Sequence, residues 1–191
     1  MITVISIIVA TIALVVLIWG VIHELPSTRG WAMEKSMSLV LSFLPKKDYK
    51  VMNNLYFRDG RKSCQIDHLI ISRFGIFVIE TKNYLGVISG YGNHKTLLRR
   101  VLGLSYRTRN PIDQNNWHIR YLYDHIKALR ENPGYIIPLV VFNYSSALRI
   151  KNAPCKVIKI QQLLRTIKSY EETILDSATM QDITDQIQLL T

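Results

Sequence analysis

Asp67 and the tripeptide Glu80-Thr81-Lys82 set charge inside short apolar runs, where charge is normally excluded unless something holds it. The first run reads Cys64-Gln65-Ile66-Asp67-His68-Leu69-Ile70-Ile71-Ser72. The second reads Gly75-Ile76-Phe77-Val78-Ile79-Glu80-Thr81-Lys82, with only Arg73-Phe74 between them. This is the pattern of a strand, a tight turn and a strand. Side chains alternate along a strand, so Glu80 and Lys82 share a face and the neighbouring strand brings Asp67 alongside. Two carboxylates and an amine then converge. A carboxylate pair holds Mg2+, which keeps several waters and bridges to phosphate oxygens, while the ammonium faces the water or a developing anion. Phosphodiester hydrolysis requires these parts. The plainer alternative makes Lys82 the neutralising partner of Glu80 or Asp67 in a half-buried ion pair. His68, next to Asp67, points to the opposite face and is the poorer candidate ligand.

The elements around these runs must position them. Residues 25–33, with Pro26-Ser27-Thr28-Arg29-Gly30, read as a linker, and a helix is expected from Trp31 to Phe43, ahead of Pro45. Met33, Met37, Val40, Leu41 and Leu44 form its apolar stripe. Glu34 lies close to that stripe, either as a third acidic group aimed at the sheet or as a first-turn Glu favoured by the helix dipole. Tyr49 to Phe57 reads as a strand and Asp59-Gly60 as a turn, so that a helix is followed by a three-stranded meander. Beyond Lys82, a Gly-punctuated stretch from Gly86 to Gly92 and short apolar segments are expected to extend the sheet edge.

Arg99, Arg100, Arg107 and Arg109 crowd the next expected loop. They are either a solvated charge run or, with Tyr91 and Tyr106 nearby, a track for a phosphate backbone. Asn110-Pro111-Ile112 opens a helix expected from Asp113 to Glu131, with Ile119, Leu122, Tyr123, Ile126 and Leu129 as its buried stripe. Gln114 and His118 are four apart and share a side. Gln114 could reach the water or backbone near a metal and His118 could reach phosphate, or both could be caps or helix surface. Tyr135 to Phe142 reads as a buried strand beside the meander, Val157 to Ile160 as a short strand, and Ile160–Lys168 and Ser177–Leu190 as closing helices. The core domain is set at residues 34–145, with 146–191 its C-terminal extension.

The chain has 191 residues, a formal net charge of +10 and a pI near 9.7. That balance suits a polyanionic partner, either nucleic acid or the anionic face of a membrane. Cys64 and Cys155 stand far apart without His or Cys neighbours at ligand spacing, which supports neither a disulfide framework nor a zinc site. No Gly-rich phosphate loop and no Ser, Cys and His arrangement for acyl transfer occurs. Residues 2–22 carry no charge. At ~1.5 Å per residue they span a bilayer core of ~30 Å. No Lys or Arg precedes them and no small-residue cleavage pattern follows, which favours a retained anchor over residues 1–24 rather than a cleaved signal peptide. Arg29 and Lys35 come next, so the positive-inside tendency puts the N-terminus outside and the domain in the cytoplasm, single-pass in the cell membrane.

Gln65-Ile66-Asp67-His68, the run Gly75 to Asn83 followed by Gly86, and Asn110-Pro111-Ile112-Asp113-Gln114 together resemble the nuclease-related domain (NERD) family. That family looks like a branch of the PD-(D/E)XK nuclease superfamily. The likeness runs from about Glu34 to Phe142. It departs at Met33, where the family's motif has Gly before the helix Glu. The resemblance implies a restriction-endonuclease-like αβββαβ core, a mixed sheet flanked by helices, here preceded by one transmembrane helix. It implies that Asp67 and Glu80 bind a divalent metal, that Lys82 positions the attacking water, and that Glu34 and Gln114 assist. The expected reaction is hydrolysis of DNA, ahead of RNA, with Mg2+ or Mn2+ held by Asp67, Glu80 and the Thr81 carbonyl. The alternatives are an inactive membrane-tethered module that grips nucleic acid, and a scaffold or signalling component whose basic face touches lipid headgroups.

Overall fold

The computed structural model describes residues 5–15, 26–60 and 62–191. In chain order the helices are α1 (residues 5–15), α2 (Pro26–Leu41), α3 (Pro111–His125), α4 (Lys127–Glu131), α5 (Leu163–Lys168) and α6 (Ser177–Leu190). The strands are β1 (Tyr49–Asp59), β2 (Lys62–Ser72), β3 (Gly75–Lys82), β4 (Gly86–Tyr91), β5 (Thr96–Val101), β6 (Leu104–Arg109), β7 (Ile136–Phe142), β8 (Ser146–Lys151) and β9 (Lys156–Lys159).

Apolar alternation folds β1, β2 and β3 into an antiparallel meander. Its second turn is closed by Ser72, whose hydroxyl donates to the Gly75 carbonyl at 2.8 Å and accepts the Phe74 N–H. On its other edge β3 takes β7 and then β9 in parallel, giving the order β1-β2-β3-β7-β9. β3 is therefore the middle strand, and Gly75 through Thr81 are all buried, as a central strand covered on both faces requires. One face packs against α2 and α5 through Met33, Met37, Leu41, Leu163 and Ile167. The opposite face packs against α3, α4 and α6 through Ile119, Leu122, Leu129, Ile183 and Ile187. This is a mixed α/β fold with the sheet flanked by helices, and α2, β1, β2, β3, α3 and β7 follow the expected helix, three-strand, helix, strand order.

Several expectations are revised. Residues 26–41 are helical, so α2 takes in residues 26–33 of the stretch read as a linker. Glu34 then sits well inside α2 and not in its first turn, which removes the helix-dipole account of that residue. The second long helix divides at Ile126, which leaves helical geometry at φ −119° and ψ 106° and buries its side chain. The segments after Lys82 do not extend the first sheet. They form β4, β5 and β6, which join β8 in a separate four-stranded sheet of order β6-β5-β4-β8. Arg99, Arg100, Arg107 and Arg109 thus lie on strands rather than in a loop.

The anchor expected over residues 2–22 extends beyond the described residues at both ends. Within it, residues 5–15 are helical with exposed apolar side chains. Among the described residues no helix is long and apolar enough to cross a membrane.

Candidate active site

The site begins where strand alternation fails. The β1–β2 ladder pairs Asn53 with His68 and Leu55 with Ile66 but omits the intervening Asn54 and Asp67. Asn54 adopts φ 52°, a left-handed conformation that Asn tolerates better than most residues. The β2–β3 ladder likewise stops at His68 and Ile79, one step short of Asp67 and Glu80. Asp67 thereby sits at an opening between strands. Its Oδ2 accepts both the Thr81 N–H at 2.8 Å and the Thr81 hydroxyl at 2.7 Å, closing the gap with a side chain in place of a ladder.

Glu80 and Lys82 share the α3 face of β3, as period two requires. Lys82 Nζ donates to Glu80 Oε1 at 2.5 Å and to Gln114 Oε1 at 3.1 Å. Glu80 is fully buried, and its Oε2 lies 3.5 Å from His118 Nδ1 without a hydrogen bond to it. Burial, then the charge of Asp67, pushes the Glu80 carboxyl up to about 8 against the pull of Lys82. Burial pulls the Lys82 ammonium down, but the charge and hydrogen bond of Glu80 carry it above its ordinary value. Burial holds His118 down to about 4, so its imidazole is neutral beside Glu80.

Two asparagines aim α3 at this point. Asn110 caps the helix, its Oδ1 accepting the Ile112 N–H at 3.0 Å, while its Nδ2 donates to the Gly92 and His94 carbonyls of the β4–β5 turn. Asn115, buried one turn on, donates to the Val78 carbonyl of β3 and the Leu139 carbonyl of β7 at 3.0 and 3.1 Å. Gln114 and His118 are thereby brought over Lys82 and Glu80.

The resulting cleft holds about 280 Å3 and is lined by Asp67, Glu80, Thr81, Lys82 and Gln114, with Glu34, Tyr84 and Arg99 at its sides. Glu34 enters from α2, and burial, then the nearby Asp67 charge, raises its carboxyl above the usual range. His118 is buried behind Glu80 rather than open to a phosphate. Of the four arginines, Arg99 reaches the cleft. Its Nε donates to the Leu85 carbonyl at 3.0 Å and its guanidinium lies 5.2 Å from the Tyr84 ring centroid. Arg100, Arg107 and Arg109 are exposed outside it. His68 binds Asn53 Oδ1 at 2.7 Å, away from Glu80. Asn115, Tyr84 and the Asn54 kink had no role in the sequence reading. The Asn53-Asn54 pair in mid-strand was the one available pointer to the kink.

The oxygen donors suit a hard cation, and the buried, unbonded Oε2 of Glu80 is the kind of group such an ion would satisfy. Among the described residues no cluster of three or more His, Cys, Asp or Glu has metal-holding geometry. The fit is therefore to Mg2+ held in the usual way, by one or two carboxylates with waters and substrate phosphate, rather than to an all-protein cage.

A helix, a meander, a helix and a parallel strand that gather Asp67 with Glu80-Thr81-Lys82 are of the PD-(D/E)XK kind. The family model described as the nuclease-related domain matches residues 29–143, and the chain belongs to the NERD family. It is 30% identical over 167 residues to an uncharacterized protein of Bacillus anthracis, covering 84% of this chain and 76% of that one. A crystal structure of a protein of unknown function aligns with 82% of this chain and 88% of its own, at 16% identity and a TM-score of 0.34. That likeness is too slight to bear on the site.

Proposed function

We propose that the chain is a metal-dependent nuclease that hydrolyses phosphodiester bonds of DNA or RNA, held at the cell membrane by residues 2–22 with its domain in the cytoplasm. The observation that carries this reading is the convergence of Asp67, Glu80 and Lys82 on one cleft at the opening between β2 and β3. Asp67, Glu80 and the Thr81 carbonyl are the groups that would hold the ion. When bound, Mg2+ or Mn2+ supplies charge to polarise the scissile phosphate and to lower the pKa of a coordinated water.

The chain's own groups account for the remainder. Thr81 fixes one oxygen of Asp67, which leaves the other for the cleft. Gln114 holds the Lys82 ammonium together with Glu80, so that Lys82 orients a water or meets the developing negative charge without swinging free. Arg99, stacked by Tyr84, adds fixed positive charge at the cleft wall where a phosphate would enter. Glu34 assists from α2. The exposed apolar helix 5–15 supports the anchor.

The purified chain, incubated with labelled single- and double-stranded DNA and RNA in Mg2+, Mn2+ or EDTA, tests the reading. Cleavage in either metal and none in EDTA is expected, and Asp67→Asn, which still accepts from Thr81, should abolish it with the fold intact. Equal residual cleavage by both proteins would sink the catalytic assignment. Salt-sensitive binding without turnover would replace it with a binding module.

A further inference from the structure

The second sheet has two unlike faces. Ile88, Leu97, Leu148 and Ile150 point inward onto Ile112, Val140 and Phe142. Alternation turns the residues between them outward. These are Arg100 on β5, Arg107 and Arg109 on β6, and Arg149 and Lys151 on β8, all exposed. The registers Leu98 with Arg107, Ser89 with Leu98, and Ser89 with Arg149 set Arg107 and Arg149 in one row across all four strands. Arg109 opposite Thr96 and Lys151 opposite Tyr91 end neighbouring strand pairs on the same side.

Among the described residues no acidic side chain pairs with this face. No Asp or Glu occurs in residues 81–112 or 132–170, the two stretches that build the sheet. None of the five cations has an ion-pair partner among the described residues. Alternate residues along a strand lie ~7 Å apart, so the cations within the pairs Arg107 with Arg109 and Arg149 with Lys151 sit close enough to repel one another. A closely spaced row of anions relieves that repulsion. The sheet also borders the cleft, because β5 turns Arg100 to the outer face and the adjacent Arg99 into the cleft wall.

We propose that the outer face of the second sheet is a docking surface for the sugar-phosphate backbone of duplex nucleic acid, which it lays beside the cleft. Duplex is favoured over single strand because the face is basic but nearly without aromatics. Tyr91 stands at its corner, while Tyr106 and Arg99 belong to the opposite face. Single strands are gripped by stacking on aromatic side chains, whereas a duplex is gripped through its phosphates. Arg99 is thereby separated from the other three arginines, as a cleft residue rather than part of the docking row. The proposal deepens the nuclease reading and rests on it for what the docked duplex is delivered to.

The test is binding of the full chain to a short labelled DNA duplex in EDTA over a range of salt, so that no cleavage intervenes. Replacing Arg100, Arg107 and Arg149 together by Ala should make the slope of log affinity against log salt shallower by about 3, at ~0.9 for each phosphate that the chain ceases to neutralise. The same positions changed to Lys should keep the slope, which separates charge from damage to the fold. Arg99→Ala should change it by no more than about 1. The proposal is overturned if the triple Ala variant keeps the wild-type slope. It is equally overturned if the face binds single strands but no duplex, or anionic phosphatidylglycerol vesicles but no nucleic acid. A chain that cleaves while its triple variant binds unchanged loses only the docking face. A chain that docks duplex through these residues and never cleaves loses only the nuclease reading.

Discussion

Glu80 carries opposing demands: buried, beside another acid, and neutralised on one oxygen only. Its carboxyl, near 4.5 when unfolded, lies at about 8 when folded. Between those values the folded chain holds a proton that the unfolded chain has lost, so stability from this group is present below 4.5 and lost as pH rises through about 8. His68 and His118 act with the opposite sign. Burial lowers both to about 4, so their contribution is present above 6.5 and lost as pH falls through about 4. Above 6.5 the two imidazoles still add stability as pH rises, and of these three groups Glu80 alone removes it. Denaturant unfolding from 6.5 to about 8 should therefore show the wild type losing stability relative to Glu80→Gln, and parallel slopes would refute the shifted carboxyl. Asp67, Glu80 and Lys82 were legible in the sequence because charge inside an apolar run demands a partner. Glu34 was legible only as one of two readings, since its meaning depended on where α2 starts. The burial of His118 was not legible, because helix spacing reports which side a residue shares but not how deep that side lies.

At the scale of elements, α3 holds the site together. Asn115 bridges β3 and β7 by donating to the Val78 and Leu139 carbonyls directly behind Glu80. Asn115→Ala removes both bonds from a buried seam and should destabilise the chain by about 1–3 kcal/mol. This would be read as a lower denaturant midpoint with an unchanged slope. A substitution without effect would mean the strand ladder alone secures the seam. An Asn within a helix is usually surface, which is why nothing in the pattern singled it out. The meander, α3 and β7 were readable from apolar period, turn residues and the Asn110-Pro111 start. The second sheet was not. Its strands are short, glycine interrupts their period, and β8 arrives from the far side of β7 with no local mark of its partner. Gly86, at φ 87° with the Arg100 carbonyl oxygen occupying the space a Cβ would need, shows how tightly that sheet is closed.

The molecule as a whole joins three parts: a flanked sheet that carries the cleft, a basic second sheet, and an apolar N-terminal segment. Removing residues 2–22 should move the chain from the membrane fraction to the soluble one while metal-dependent cleavage persists. A truncated chain that still sediments with membranes would point to the basic sheet as the lipid contact. The apolar segment and the overall charge were plain from composition, but their placement was not, because composition has no geometry. β3 pairs on one edge with β7, and Asn83 at its end bonds Asn143, sixty residues on. The strand that bears both Glu80 and Lys82 therefore lacks one neighbour until the ribosome has released Phe142. A chain still being synthesised therefore holds an incomplete cleft until that late segment docks.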